Sequence, residues 1–143
     1  MAMPAWSKRL LFPCSFMLVI AIMIWQYKAS NANAYPAEST YRNESIDIRI
    51  RTDDAPVRLL EETTFYIHVQ DSKGYPVNDA SIQLTITMPS MYCGEFQAKI
   101  TSIGDGSYEA RVAPVMSGAW EAETVIRAGD RSYTVKHRFA TDA

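Results

Sequence analysis

From Ile46 onward the chain alternates apolar and polar residues. Ile46, Ile48 and Ile50 interleave with Asp47, Arg49 and Arg51, and Phe65, Ile67 and Val69 interleave with Tyr66, His68 and Gln70. A period of two puts one set of side chains on a buried face and the other in water, the mark of a half-buried β-strand. Five further runs keep that period: Ala80, Ile82, Leu84, Ile86 and Met88; Phe96, Ala98 and Ile100; Tyr108, Ala110 and Val112; Trp120, Ala122, Thr124 and Ile126; and Tyr133, Val135 and Phe139. Between them fall Asp71-Ser-Lys-Gly74, Gly104-Asp-Gly106 and Ala128-Gly-Asp130, turn residues that supply positive φ or cap the local backbone. No segment after Ser45 sustains a 3.6-residue period. About seven short strands in about 100 residues, with no crossover helices, predict an all-β domain over residues 46–143, an immunoglobulin-like antiparallel β-sandwich. Trp120 is the expected large core aromatic. Tyr108, which follows Asp105-Gly106-Ser107, is either the tyrosine corner of such a sandwich, its hydroxyl tying a loop to the strand start, or a plain buried aromatic.

Ahead of the strands the pattern changes. Residues 1–9 carry Lys8 and Arg9, and Leu10 to Tyr27 follows as a run of 18 residues with no formal charge. A basic flank before an apolar run is an export signal, so residues 1–27 read as an N-terminal apolar helix, either a signal peptide or a transmembrane anchor. Both outcomes stay open. Ala32-Asn33-Ala34 is an A-x-A cleavage pattern that would give a secreted protein starting at Tyr35. The length of the run, with Trp25, Tyr27 and Lys28 at its outer end, fits a single-pass anchor in the cell membrane with the C-terminal domain outside. Residues 28–45 are polar and include Pro36-Ala-Glu-Ser-Thr40. They offer too little apolar surface to offset their ordering entropy and read as a linker.

Charge narrows the partners. From Tyr35 onward 11 Lys and Arg stand against 16 Asp and Glu, a formal charge of −5. A mildly acidic surface without a basic stripe gives no footing for nucleic acid. The expected partner is the cell membrane, through the N-terminal helix. Of the two cysteines, Cys14 lies in the leader and Cys93 in the domain, so the sandwich is expected to lack an inter-sheet disulfide and to rely on its core.

Candidate chemistry concentrates in Met88-Pro89-Ser90-Met91-Tyr92-Cys93-Gly94, where three sulfurs fall within six residues. Thioethers and thiolates suit soft ions, so Met88, Met91 and Cys93, joined by Met116 from the Pro114 to Gly118 bend, form a candidate site for Cu(I). The alternative is packing, since methionine is an adaptable core filler and Met88 shares the parity of Ile82, Leu84 and Ile86. The two histidines add little: His68 falls on the wet side of its strand, and His137 reads as an edge residue. Asp53-Asp54 and Glu61-Glu62 read as solvated surface.

Four blocks carry a family resemblance. Asp71-Ser-Lys-Gly74-Tyr75-Pro76-Val77-Asn78-Asp79-Ala80, Ile86-Thr87-Met88-Pro89-Ser90-Met91, Gly104-Asp-Gly-Ser-Tyr108-Glu-Ala110 and Met116-Ser-Gly118-Ala-Trp120-Glu-Ala122, in that order, resemble the YtkA-like domains of bacterial envelopes, themselves similar to the periplasmic part of FixH proteins. The resemblance implies an immunoglobulin-like sandwich behind a membrane anchor or signal, no enzymatic activity, a binding role toward a protein partner in the envelope, and links with copper handling and respiratory oxidase assembly. Members often carry a Met-rich or His-containing segment after the Met-Pro pair. Here that segment continues as Met91-Tyr92-Cys93-Gly94, without histidine.

The motifs of catalysis are missing from the sequence. It has no glycine-rich loop opening a helix, no Gly-x-Ser-x-Gly elbow, no His-x-x-x-His and no Cys-x-x-Cys. A Cys93 and His68 pair lacks an orienting third group. The reading is a non-enzyme, with two versions open. In one, the domain receives or buffers Cu(I) outside the membrane. In the other, it is a metal-free interaction module that assists assembly of a membrane complex.

Overall fold

In the structure, a computed structural model that describes residues 17–24, 35–53 and 56–142, the alternating runs become strands. The chain divides into two units, Met1–Ala34 and Tyr35–Ala143. In the first, residues 17–24 are helical. Among the described residues no helix is long and apolar enough to cross a membrane. The rest of the leader, with its basic flank, Cys14 and the A-x-A pattern, lies outside the described residues.

The second unit is all-β, as expected, but its described residues form ten strands in place of seven: β1 (Glu38–Arg42), β2 (Ile46–Thr52), β3 (Val57–Arg58), β4 (Thr63–Asp71), β5 (Ser81–Thr87), β6 (Phe96–Gln97), β7 (Lys99–Gly104), β8 (Ser107–Val112), β9 (Gly118–Ala128) and β10 (Arg131–Asp142). They form two five-stranded sheets, ordered β1-β2-β4-β8-β7 and β3-β10-β9-β5-β6. All pairs are antiparallel except β3 with β10. The inward sets are those the alternation marks. Ile46, Ile48 and Ile50 meet Phe65, Ile67 and Val69 from one sheet, against Leu84, Ile86, Trp120, Ala122, Ile126, Val135 and Phe139 from the other. Each such aliphatic or aromatic side chain contributes about 1.5–3 kcal/mol on burial, whereas the exposed ion pairs on the outer faces contribute about 0–1 kcal/mol each. The core therefore carries the fold, and Cys93, the one cysteine among the described residues, is a free thiol.

Three differences from the sequence reading have simple causes. Glu38–Arg42, assigned on composition to the linker of residues 28–45, is edge strand β1, paired with β2 at Tyr41↔Ile48. Ser39 and Tyr41 turn inward without forming an apolar run: Ser39 Oγ lies 2.9 Å from His137 Nδ1, and the Tyr41 ring packs on Tyr133. The run Phe96, Ala98 and Ile100 keeps one parity yet serves both sheets. Phe96 pairs with Ile86 in one, the Ala98 amide donates to the Leu84 carbonyl at 2.9 Å, and Lys99 then pairs with Arg111 in the other. His137, read as an edge residue, is fully buried, with the Phe65 ring edge-on at 6.1 Å.

The turns also follow from sequence. Gly104-Asp105-Gly106 has positive φ at all three residues, and the two central residues match the primed turn that twists with its strands. Gly106 is doubly required, because a Cβ there would sit 2.3 Å from the Val69 carbonyl oxygen. Tyr108 resolves as the corner. Its hydroxyl donates to the Val77 carbonyl at 2.8 Å and accepts the Ala80 amide at 3.2 Å, pinning the 76–80 segment to the start of β8.

Candidate functional site

Strand register decides which loops meet. β5 runs antiparallel to β9 with Thr87 opposite Glu121, so the loop after β5 emerges beside the start of β9 and the bend that leads into it. The contact is direct, since a Cβ on Gly118 would lie 2.9 Å from the Met88 methyl carbon. A third loop joins them: the Leu60 amide donates to the Pro114 carbonyl at 2.9 Å. Residues 59–62, 88–95 and 113–117 therefore share one end of the sandwich. The bend among them is fixed from below. The Met116 carbonyl accepts both the Trp120 indole N–H and the Thr141 hydroxyl at 2.9 Å, and that hydroxyl accepts the Gly118 amide at 2.9 Å.

The four sulfur residues thus gather at this end, at different depths. Met88, 8% exposed, belongs to the core. Cys93 is half-buried, a free thiol packed against that core. Met91 and Met116 are open, at 50% and 39%. Beside them sequence reasoning missed two more apolar side chains, Tyr92 at 91% and Leu60 at 70%, with Val115 near Met116. The signal for Leu60 was its position between two strand runs, next to Glu61-Glu62, where a turn residue is the ordinary occupant. Its backbone is left-handed, φ 61°, a conformation that costs a non-glycine residue about 1–2 kcal/mol.

The remaining candidates fall elsewhere. His68 faces outward from its sheet, Nδ1 2.9 Å from Ser107 Oγ, while the Cys93 loop belongs to the other sheet. His137 is held below its ordinary pKa by burial, and its Nε2 has no partner. Glu61 pairs with Arg58 at 3.5 Å. Among the described residues no three His, Cys, Asp or Glu side chains converge as a metal cluster. On the outer faces, Glu121 is engaged by Lys136, which lowers its pKa, with Arg138 adding to the effect. Burial pushes the Asp47 carboxyl up, but Arg42 and Arg49 outweigh it and hold the pKa below the usual value. These clusters are internally neutralised strand faces.

Residues 41–125, from the end of β1 through most of β9 and including all four sulfur residues, match the YtkA-like family model. The chain belongs to the YtkA-like family. No curated protein matches it. Among solved structures, this YtkA-like domain is similar to a DUF4426 family protein from Pseudomonas aeruginosa PAO1, with a TM-score of 0.56 and 14% identity over 74% of this chain and 98% of that one. It is also similar to a DUF4785 family protein from Legionella pneumophila, with a TM-score of 0.51 and 14% identity over 67% of this chain. The YtkA-like domain spans only 28% of the length of the Legionella protein. At such identities the likeness is one of fold.

Proposed function

We propose that this YtkA-like chain is a non-enzymatic binding domain of the bacterial envelope. In this reading an immunoglobulin-like sandwich is held outside the cytoplasmic membrane by its leader, or released after cleavage near Ala34, and acts through the end that carries residues 59–62, 88–95 and 113–117. One observation carries it. Of the seven exposed large apolar side chains among the described residues from Tyr35 onward, five sit on those three loops: Leu60, Met91, Tyr92, Val115 and Met116. A patch of that kind on a small domain marks a contact surface.

The same end supports a second reading, in which Met88, Met91, Cys93 and Met116 handle Cu(I). The donors are of the soft type that ion prefers, and the Met88 methyl lies against Gly118, two residues from Met116. Met91, Cys93 and Met116 would supply the accessible sulfurs, with Met88 beneath them. Bound there, Cu(I) would be held for transfer without redox chemistry by the protein. The burial of Met88 weighs toward packing for that residue, so docking without metal is the favoured version. Titration of the chain with Cu(I) under reducing conditions separates the two. Uptake of one equivalent that is lost in the Met91→Ala/Cys93→Ala variant supports copper handling. Equal, weak uptake by both proteins leaves the domain as an interaction module.

A further inference from the structure

We infer that the loop end is a preformed docking surface for a protein partner whose contacting patch is apolar and bordered by lysine and arginine; the inference rests on the binding-domain reading above. Three features build the surface. Its apolar side chains come from three separate connections, yet the Leu60 amide to Pro114 carbonyl bond joins two of them, the Met88 methyl seats the third against Gly118, and the Met116 carbonyl ties the bend to Trp120 on β9 and Thr141 on β10. Docking onto it therefore orders little that is not already ordered, which lowers the entropic cost of association. Leu60 is held outward in a left-handed backbone where glycine or asparagine would sit more easily. Its leucine side chain contributes nothing to the core that would offset this strain, which is what a residue kept for an external contact looks like.

Charge selects the occupant. The three loops contain three carboxylates, Glu61, Glu62 and Glu95, and neither lysine nor arginine. The adjoining Arg58 on β3 is engaged by Glu61. Carboxylates on the two loops that carry Leu60 and Tyr92, Glu61 and Glu62 on one and Glu95 on the other, are repelled by an anionic lipid surface and complemented by a basic rim on a protein. A second copy of the chain docked end to end would oppose like charges.

The experiment places a photoreactive benzoyl-phenylalanine at Tyr92 in the full chain, in the cells that make it, with the same probe at Tyr75 on the opposite end as the control. Crosslinked peptides are read by mass spectrometry. The expected result is a protein adduct at Tyr92 roughly fivefold or more above that at Tyr75. Its crosslinked peptide is apolar and flanked by Lys or Arg, and the adduct falls by a similar factor in the Glu61→Lys/Glu62→Lys/Glu95→Lys background. All three glutamates are exposed, and an unchanged urea midpoint verifies that the variant folds. A lipid adduct, an adduct to a second copy, or one undiminished by charge reversal overturns the partner chemistry while leaving a binding end. Absence of any adduct above the Tyr75 level overturns both this inference and the choice of that end as the contact surface.

Discussion

Replacing Tyr108 by phenylalanine removes one hydroxyl and tests whether the loop before β5 is held by it. The ring is 3% exposed and stays in the core, so its apolar burial is conserved. What is lost is the bond donated to the Val77 carbonyl and the one accepted from the Ala80 amide. A net hydrogen bond contributes about 1 kcal/mol, and a buried group left unpaired costs about 1–3 kcal/mol. Val77 and Ala80 are half-buried, so water recovers part of that cost. The sum is about 2 kcal/mol, roughly a 10 °C fall in Tm for a domain of this size. Urea and thermal unfolding measure the loss, and hydrogen exchange at the Ala80 amide locates it. Were Tyr108 only a packed aromatic, the variant would lose less than about 0.5 kcal/mol and Ala80 would keep its protection. That outcome would refute the corner.

His137 gives the domain an acid-sensitive stability. Burial holds its pKa below the ordinary histidine value of 6.5, so below that value the unfolded chain takes up a proton that the folded chain refuses. Its stabilising contribution is whole above that value and is lost as pH falls toward the folded-state pKa, at up to about 1.4 kcal/mol per pH unit. Urea midpoints between about pH 7.5 and 5 should decline more steeply in the parent than in His137→Gln, and parallel slopes would exclude the effect. At the loop end, Leu60→Asn should raise stability by about 1 kcal/mol by relieving the left-handed backbone, while weakening the Tyr92 crosslink. A loss of stability would mean that the leucine side chain is needed by the fold.

What the sequence made legible was the part governed by period. The buried apolar positions of β2, β4, β5, β8 and β9 could be read from alternation, because each strand has one dry and one wet face, whereas the buried Thr63 at the start of β4 could not. Alternation has no term for what pairs with what. β1 was illegible because Glu-Ser-Thr-Tyr-Arg holds no apolar run, and its strand state is imposed by the free edge of β2. The crossing at Ala98 was illegible because parity survives the passage from one sheet to the other. His137 has the parity of Val135 and Phe139, but only the fold reveals that Ser39 lies within 2.9 Å to take one ring nitrogen. At the loop end the sulfur residues stood out by type, whereas Leu60 and Val115 join them through a register that no local pattern encodes.

The two flanks of the sandwich are closed by different means, and this sets how it would come apart. On one flank the polypeptide itself runs from Gln97 through Ala98 to Lys99, a covalent spine that holds the layers in alignment however far they breathe. On the other, the layers are bridged by side chains, Ser39 to His137 and Tyr41 to Tyr133. Tension applied through the N-terminal segment enters at β1, on this weaker flank. The protein should then open like a book along its bound spine, shedding β1 first while the loop end stays assembled.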